Sequence, residues 1–118
     1  MKRRAYLFGL GAERIAALML WLKGYRILAR RCRSPFGEID LIALRCGTVC
    51  FVEVKARADM TTAREALSPR QRRRIVRAAG FWMQRHGRPA YKEMRFDVVC
   101  VAPWRWPLHI VNAFTAND

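Results

Sequence analysis

Acidic residues are scarce in this sequence: nine Asp and Glu stand against 23 Lys and Arg, giving a formal charge of +14 and a pI near 11.2. An excess of that size asks for a polyanion as partner. Histidine occurs twice, and the four cysteines contain no C-x-x-C pair, so spacing can assemble neither a zinc knuckle nor a haem attachment site. Cys32, Cys46, Cys50 and Cys100 read as free thiols in a reducing compartment. Long apolar runs are lacking as well. The longest charge-free apolar segment, Ile15 to Leu22, falls far short of the roughly 20 residues that a membrane span needs. After the basic start Met1-Lys2-Arg3-Arg4, Glu13 and Arg14 interrupt the apolar stretch and no small-x-small cleavage site follows, which argues against a secretory signal. A cytoplasmic protein with no membrane partner is the expectation.

What is present suffices for one domain over residues 1–118, since the chain is 53% hydrophobic with four Trp, six Phe and three Tyr. The periodicity predicts a helix from about Gly11 to Lys23, closed by Gly24. Its two apolar stripes, Ile15-Leu18-Met19-Leu22 and Ala16-Ala17-Leu20, predict burial on nearly all sides, with Glu13 at the rim of a packed surface. Strands are predicted at Tyr25–Arg33, at Glu38–Leu44 after the turn Ser34-Pro35-Phe36-Gly37, and at Thr48–Arg57. A hairpin loop centred on Cys46-Gly47 sets Asp40 opposite Glu53 and Glu38 opposite Lys55, and a slip of one residue would send them to opposite faces. After a loop at Ala58–Ala63, Ser68 caps a second helix that has Pro69 at its first position and Gly87 past its end. Ile75, Ala78, Ala79 and Trp82 form its core stripe with Gln71 on the same side, while Arg70, Arg73, Arg74 and Arg77 project from the other. Arg95–Val101 reads as a central strand, and Leu108–Val111, after a Trp-Arg-Trp loop, as a short edge strand. The order α-β-β-β-α-β(β) implies an α/β fold, a mixed β-sheet flanked by helices.

Glu53 and Lys55 lie two apart on one strand and share a face, and the hairpin adds Asp40 to the same patch. Two carboxylates opposed across strands are unfavourable unless a cation lies between them, and Mg²⁺ prefers such oxygens while bridging to phosphate. Lys55 is placed to orient water or to steady charge on the phosphate. An acid on one strand followed by Glu-x-Lys on the next resembles the PD-(D/E)XK signature of restriction-endonuclease-like nucleases. More specific is the series Gly37-Glu38-Ile39-Asp40-Leu41-Ile42, Phe51-Val52-Glu53-Val54-Lys55, Arg95-Phe96-Asp97-Val98-Val99, His109-Ile110 and Asn112-Ala113-Phe114. With Gly11, Glu13 and Ala16, and with Glu65-Ala66-Leu67-Ser68-Pro69-Arg70, it resembles the YraN-like family over nearly the whole chain. These are small bacterial proteins similar in fold to Holliday-junction resolvases. The resemblance implies a restriction-endonuclease-like fold, Asp40 and Glu53 as ligands of Mg²⁺ or Mn²⁺, Lys55 as catalytic lysine and Glu13 as a further catalytic carboxylate. Gln71 departs from it, since that position often carries Lys, as does Ala58–Ala63, which lacks a usual Phe-Gly.

Each of these residues also has a plainer reading. The Asp-Glu-Lys patch can be a solvated salt-bridge ladder, and Glu13 can pair with an Arg of the first strand. Glu38 is expected to pair with Lys55 or with a phosphate-facing Arg, Asp97 to be a strand-end acid paired with Arg95 or a backbone group, and Gln71 to bond near the site or to be a satisfied amide. His86 and His109 have no acid or thiol at a telling spacing and read as structural. Two basic clusters lack acids, one containing Arg30 and Arg33, the other Arg70, Arg73, Arg74 and Arg77, and arginine favours bidentate phosphate contacts. Phe81, Trp104 and Trp106 suit stacking on unpaired bases; the two Trp equally suit anchoring their loop to the core or to a second subunit. The combined expectation is a Mg²⁺-dependent nuclease acting on DNA rather than RNA, branched or single-stranded, and open to homodimerisation like junction-cutting enzymes of this fold. The alternatives are a catalytically silent nucleic-acid-binding module of a recombination or DNA-uptake assembly and, third, an RNA- or ribosome-associated basic protein.

Overall fold

The middle of the chain folds back on itself through two tight turns. In the computed structural model, which describes residues 2–57 and 67–116 and side chains from Gly11 onward, these turns join β1 (Arg26–Ser34), β2 (Gly37–Arg45) and β3 (Thr48–Ala56). Cys46 and Gly47 both have positive φ, 51° and 80°, as a two-residue type I′ turn requires. That turn fixes the expected register, with Leu41 against Val52 and Ile42 against Phe51. Gly37, with φ of 135°, serves a close approach instead: a Cβ there would come within 2.6 Å of Cδ of Arg74.

Helix α1 (Lys2–Leu22) precedes this meander, and α2 (Pro69–His86) carries the chain across to β4 (Glu93–Val101), which lies parallel to β3; β5 (Leu108–Phe114) closes the edge antiparallel to β4. The described strands form one mixed sheet in the order β1-β2-β3-β4-β5, and the element order is the one expected.

Alternation along β3 divides the core. Val49 and Phe51 pack with Ile75, Ala78, Ala79 and Trp82 of α2, whereas Cys50 and Val52 pack with Ala12, Ala16, Met19 and Leu20 of α1. Glu53 and Lys55 continue the α2 side of this alternation.

Four expectations need correction. The first helix begins at Lys2 rather than near Gly11. It is not buried all round, because Ile15, Leu18 and Leu22 are 44%, 56% and 62% exposed; only the side continuous with Ala12, Ala16 and Leu20 meets the sheet. Asp97 lies in the middle of β4 rather than at a strand end. The last strand runs on to Phe114, whose buried ring stacks on Phe96.

Trp104 and Trp106 are fully or largely exposed, so their loop is not anchored on this chain's core. The α2 start is as expected, and it also settles Gln71. Ser68 Oγ accepts from the Gln71 amide at 3.2 Å while Gln71 Oε1 accepts from the Ser68 amide at 2.9 Å, a complete capping box. The expected loop at Ala58–Ala63, together with Glu65 and Ala66, lies outside the described residues. No described helix is long and apolar enough to cross a membrane.

Candidate functional site

The β2–β3 ladder ends at Leu41 and Val52, and beyond it Asp40 takes over the role of a strand partner. Its Oδ2 accepts from the Val54 amide at 2.8 Å. This holds the carboxylate at the fork between the two strands, where it and the Glu53 carboxyl act on each other electrostatically. Lys55 Nζ lies 3.6 Å from Glu53 Oε1, and both side chains are largely buried, 12% and 19% exposed. The three residues singled out in the sequence therefore meet at one point.

Burial is the main reason that both carboxyls bind protons more tightly than usual. Glu53 is pushed up to about 8, first by burial and then by the charge of Asp40, with Lys55 pulling the other way. Asp40 is raised less plainly, since the Val54 amide favours its ionised form while the charges of Glu13 and Glu38 oppose it. At neutral pH the pair keeps a proton that two separate surface acids would have lost.

Glu13 is close enough to act on Asp40 electrostatically, yet it is held by other partners. Only 6% exposed, it accepts from Nε of Arg31 at 2.6 Å and from Nε of Arg30 at 3.3 Å. Strand alternation would send adjacent arginines to opposite faces; the positive φ of Arg31, 49°, breaks the alternation and lets both reach one acid. The pairing of Glu13 with an arginine of the first strand is as the plainer sequence reading has it; that two arginines share the acid follows from the left-handed Arg31, which nothing in the sequence signals. Glu38 does not pair with Lys55. It takes the other expected kind of partner, an exposed arginine: Arg33, its register neighbour on β1, lies 3.9 Å away, while the β2–β3 ladder that would have placed it opposite Lys55 has already opened.

The basic surface has two parts. Arg70, Arg73, Arg74 and Arg77 line an open cleft of about 310 Å³ over Pro35 and Phe36. Phe36 meets Phe81 edge to face, and Arg85 lies over the Phe81 ring at 4.6 Å. On β1, Arg33 is 91% exposed and Arg30 half exposed despite its bond to Glu13.

A second polar centre lies in the sheet between β4 and β5. Asp97, 0% exposed, accepts from Nε and Nη2 of Arg95 at 2.9 and 2.8 Å, from the Asn112 amide at 2.9 Å and from Nε2 of His109 at 2.8 Å. His109 Nδ1 in turn lies 2.6 Å from Lys23 Nζ; since Lys can only donate, the ring carries its proton on Nε2 when neutral. Burial alone would raise Asp97, but the bonds from His109, Arg95 and Asn112 outweigh it and hold the carboxyl down at about 2. Arg95 is held above its usual range, chiefly by its bond to Asp97. His109 thus has an acid partner that its sequence spacing did not disclose. All described polar groups here are satisfied, which marks a structural lock rather than a reactive site.

Comparison with known proteins places these residues in a wider group. The family model described as "Uncharacterised protein family UPF0102" matches residues 12–101. A UPF0102 protein of Mesorhizobium japonicum is 53% identical over 117 residues, covering 99% of this chain and 94% of the relative. UPF0102 proteins of Rhodopseudomonas palustris and of a Bradyrhizobium species are 50% and 52% identical over 113 residues, in each case 96% of this chain and 87% and 80% of the relative.

Proposed function

The chain belongs to the UPF0102 family, and we propose that it is a nucleic-acid-binding protein acting as a metal-dependent nuclease on DNA phosphodiester bonds, in branched or single-stranded DNA. The observation that carries the reading is the convergence of Asp40, Glu53 and Lys55 at the fork of β2 and β3. In the same proposal, the mixed sheet with a helix on each face is of the restriction-endonuclease-like type.

The donor set fits a hard divalent cation. Among the described residues no group of three or more His, Cys, Asp and Glu side chains is arranged to hold an ion. What supports Mg²⁺ or Mn²⁺ is the carboxylate pair itself, since these ions take one or two carboxylates and complete their shell with water and phosphate. Asp40 and Glu53 would hold the ion, which when bound supplies charge neutralisation and polarises the phosphodiester. The Val54 amide fixes the Asp40 carboxylate at the fork. Lys55, buried beside Glu53, presents a positive charge where the phosphate gains negative charge. The arginines of α2 grip the flanking backbone, and an excess of +14 draws the polyanion in.

Asp40→Asn and Glu53→Gln are expected to abolish cleavage in Mg²⁺ or Mn²⁺ while leaving DNA binding intact. A wild-type protein that cuts neither DNA nor RNA, whether linear, nicked or branched, sinks the catalytic half. One observation favours the silent binding module instead: Glu13, the third acid, is engaged by two arginines. Calorimetry separates the readings, because the silent module takes up neither Mg²⁺ nor Mn²⁺.

A further inference from the structure

At the end of α2 remote from Ser68, a cleft of about 380 Å³ opens between the last turn of the helix and the start of β1. Arg26, Arg85, His86 and Arg88 line it, and no acid does. β1 supplies Arg26, the last turn of α2 supplies Arg85, and the following turn supplies Arg88, whose carbonyl accepts from the Tyr91 amide at 2.9 Å. The floor is fixed by the core: buried Trp82 packs against His86 and Tyr91, with ring centroids 4.9 and 6.3 Å apart. Among the described residues, no carboxylate pairs with Arg26, Arg85 or Arg88.

Arg85 and His86 suit the carbonyl end of a helix. Arg26 and Arg88 belong to other segments, and that reason does not extend to them. Guanidinium groups gathered on one concavity repel each other and focus a positive field into it, which an anion between them relieves. Arginine forks match the oxygens of a phosphate. The cleft also continues the basic face already described. Arg70, Arg74, Arg77, Phe81 and Arg85 recur every three or four residues and share one side of α2. Arg85 lies over the Phe81 ring at 4.6 Å, and Phe81 meets Phe36 of the first arginine cleft. Trp82 and Leu28 belong to the core on the α2 side of the sheet, the side of Glu53 and Lys55. Arg26 pairs with Leu44, four residues beyond Asp40 on β2, which is about 13 Å along the strand direction.

We infer that this cleft seats one backbone phosphate of a bound DNA strand, held by Arg26, Arg85 and Arg88. At 3.4 Å per nucleotide it lies on the order of four nucleotides from the phosphodiester at Asp40 and Glu53. The inference rests on the nucleic-acid reading above and extends the bound strand beyond the first arginine cleft, along α2 to the start of β1.

The test is anisotropy titration of a labelled DNA duplex over a range of salt, in EDTA so that cleavage plays no part. Arg26→Gln/Arg88→Gln removes two of the three forks. Arg14→Gln/Arg45→Gln, two exposed arginines of α1 and the end of β2, is the control of equal charge. The first variant is expected to lower the slope of log K against log salt by about 0.9, the share of one phosphate, so that its loss of affinity is about 3.5-fold greater at 50 mM than at 200 mM salt. The control should keep the wild-type slope. Thermal melting checks the fold of each variant, and Arg88→Gln alone, a change in an exposed turn, carries the test with the same direction of effect if the double variant does not fold. A slope unchanged by the cleft variant, or lowered equally by the control, overturns the assignment while the nuclease reading stands. So does an unchanged slope with a melting temperature that inorganic phosphate raises, against chloride at equal ionic strength, in wild type but not in the cleft variant, because the cleft then serves free phosphate. Wild type that binds no DNA overturns both readings, whereas the expected slopes in a protein that cuts nothing leave the cleft assigned and remove only the catalytic reading.

Discussion

His109 and Asp97 meet inside the sheet, with Nε2 of the imidazole 2.8 Å from Oδ2 of a carboxylate that has no solvent exposure. This hydrogen bond ties β5 to β4 where their register shifts between Phe96 and Val98, and Asp97 there also satisfies the Asn112 amide. Removing one member of a buried charged network leaves the others unpaired. Asp97→Ala is therefore expected to destabilise the protein by about 3–5 kcal/mol, read from the urea midpoint, and His109→Ala by about 1–3 kcal/mol. The pH dependence has a definite sign. Asp97 is held down at about 2, so its contribution is present above the ordinary carboxyl range and is lost as pH falls toward 2. Urea titrations from pH 5 downward should show that loss, and Asp97→Asn should remove it.

Glu53 gives the opposite slope. Its folded pKa, about 8, lies above the unfolded value, so the native state holds a proton that the unfolded chain has released. The associated stability is complete below the ordinary carboxyl range and declines as pH rises toward 8. In metal-free buffer the melting temperature is expected to fall between about pH 5 and pH 8, and Glu53→Gln should flatten that fall. A melting temperature unchanged for wild type across the window would contradict the buried carboxylate pair. Divalent ions should bind more tightly as pH rises, because they compete with that proton.

The parts of this site that are legible in the sequence are those governed by local rules. A two-residue turn at Cys46-Gly47 and a period of two suffice to bring Asp40 to Glu53, and Ser68-Pro69 suffices to start α2. The likeness to the YraN-like family is borne out by the UPF0102 match. Non-local events are hidden. The β2–β3 ladder opens after Leu41, so Lys55, one of the two partners expected of Glu38, is out of its register and only the arginine is taken. His109 and Asp97 are twelve residues apart, and only the β4–β5 pairing joins them. The left-handed backbone of Arg31, which gives Glu13 a second arginine, follows from no residue preference, since an Arg there is unfavourable on its own.

The two sides of α1 differ in a way that mutation can read. Leu20 is fully buried against the sheet, whereas Leu18, two residues earlier, is 56% exposed. Leu20→Ala is expected to destabilise by about 2–5 kcal/mol, through reduced burial and the cavity left behind. Leu18→Ala should stay within about 0.5 kcal/mol of wild type. Chemical denaturation of both variants checks the pair. Equal losses would mean that the outer side of α1 is covered in solution, and sedimentation would then show an assembly larger than the monomer.

The α2 arginines should act through charge alone, without regard to sequence or pairing. Arg70, Arg73, Arg74 and Arg77 line one cleft, and each phosphate neutralised by such a residue contributes about 0.9 to the slope of log K against log salt on duplex DNA. Replacing Arg70, Arg73 and Arg77 with Gln should lower that slope by about 0.9 for each phosphate that is no longer neutralised, with the largest affinity difference at low salt. The slope on single strands should fall less steeply, about 0.7 per phosphate. Ser68→Ala and Gln71→Ala provide the contrast. Each breaks the reciprocal cap and should reduce stability by about 1 kcal/mol, with less than the sum in the double variant, while the salt slope stays that of wild type. A slope unaffected by the triple Arg replacement would move the phosphate-binding surface off α2 and onto the exposed arginines of β1, where Arg33 is 91% exposed.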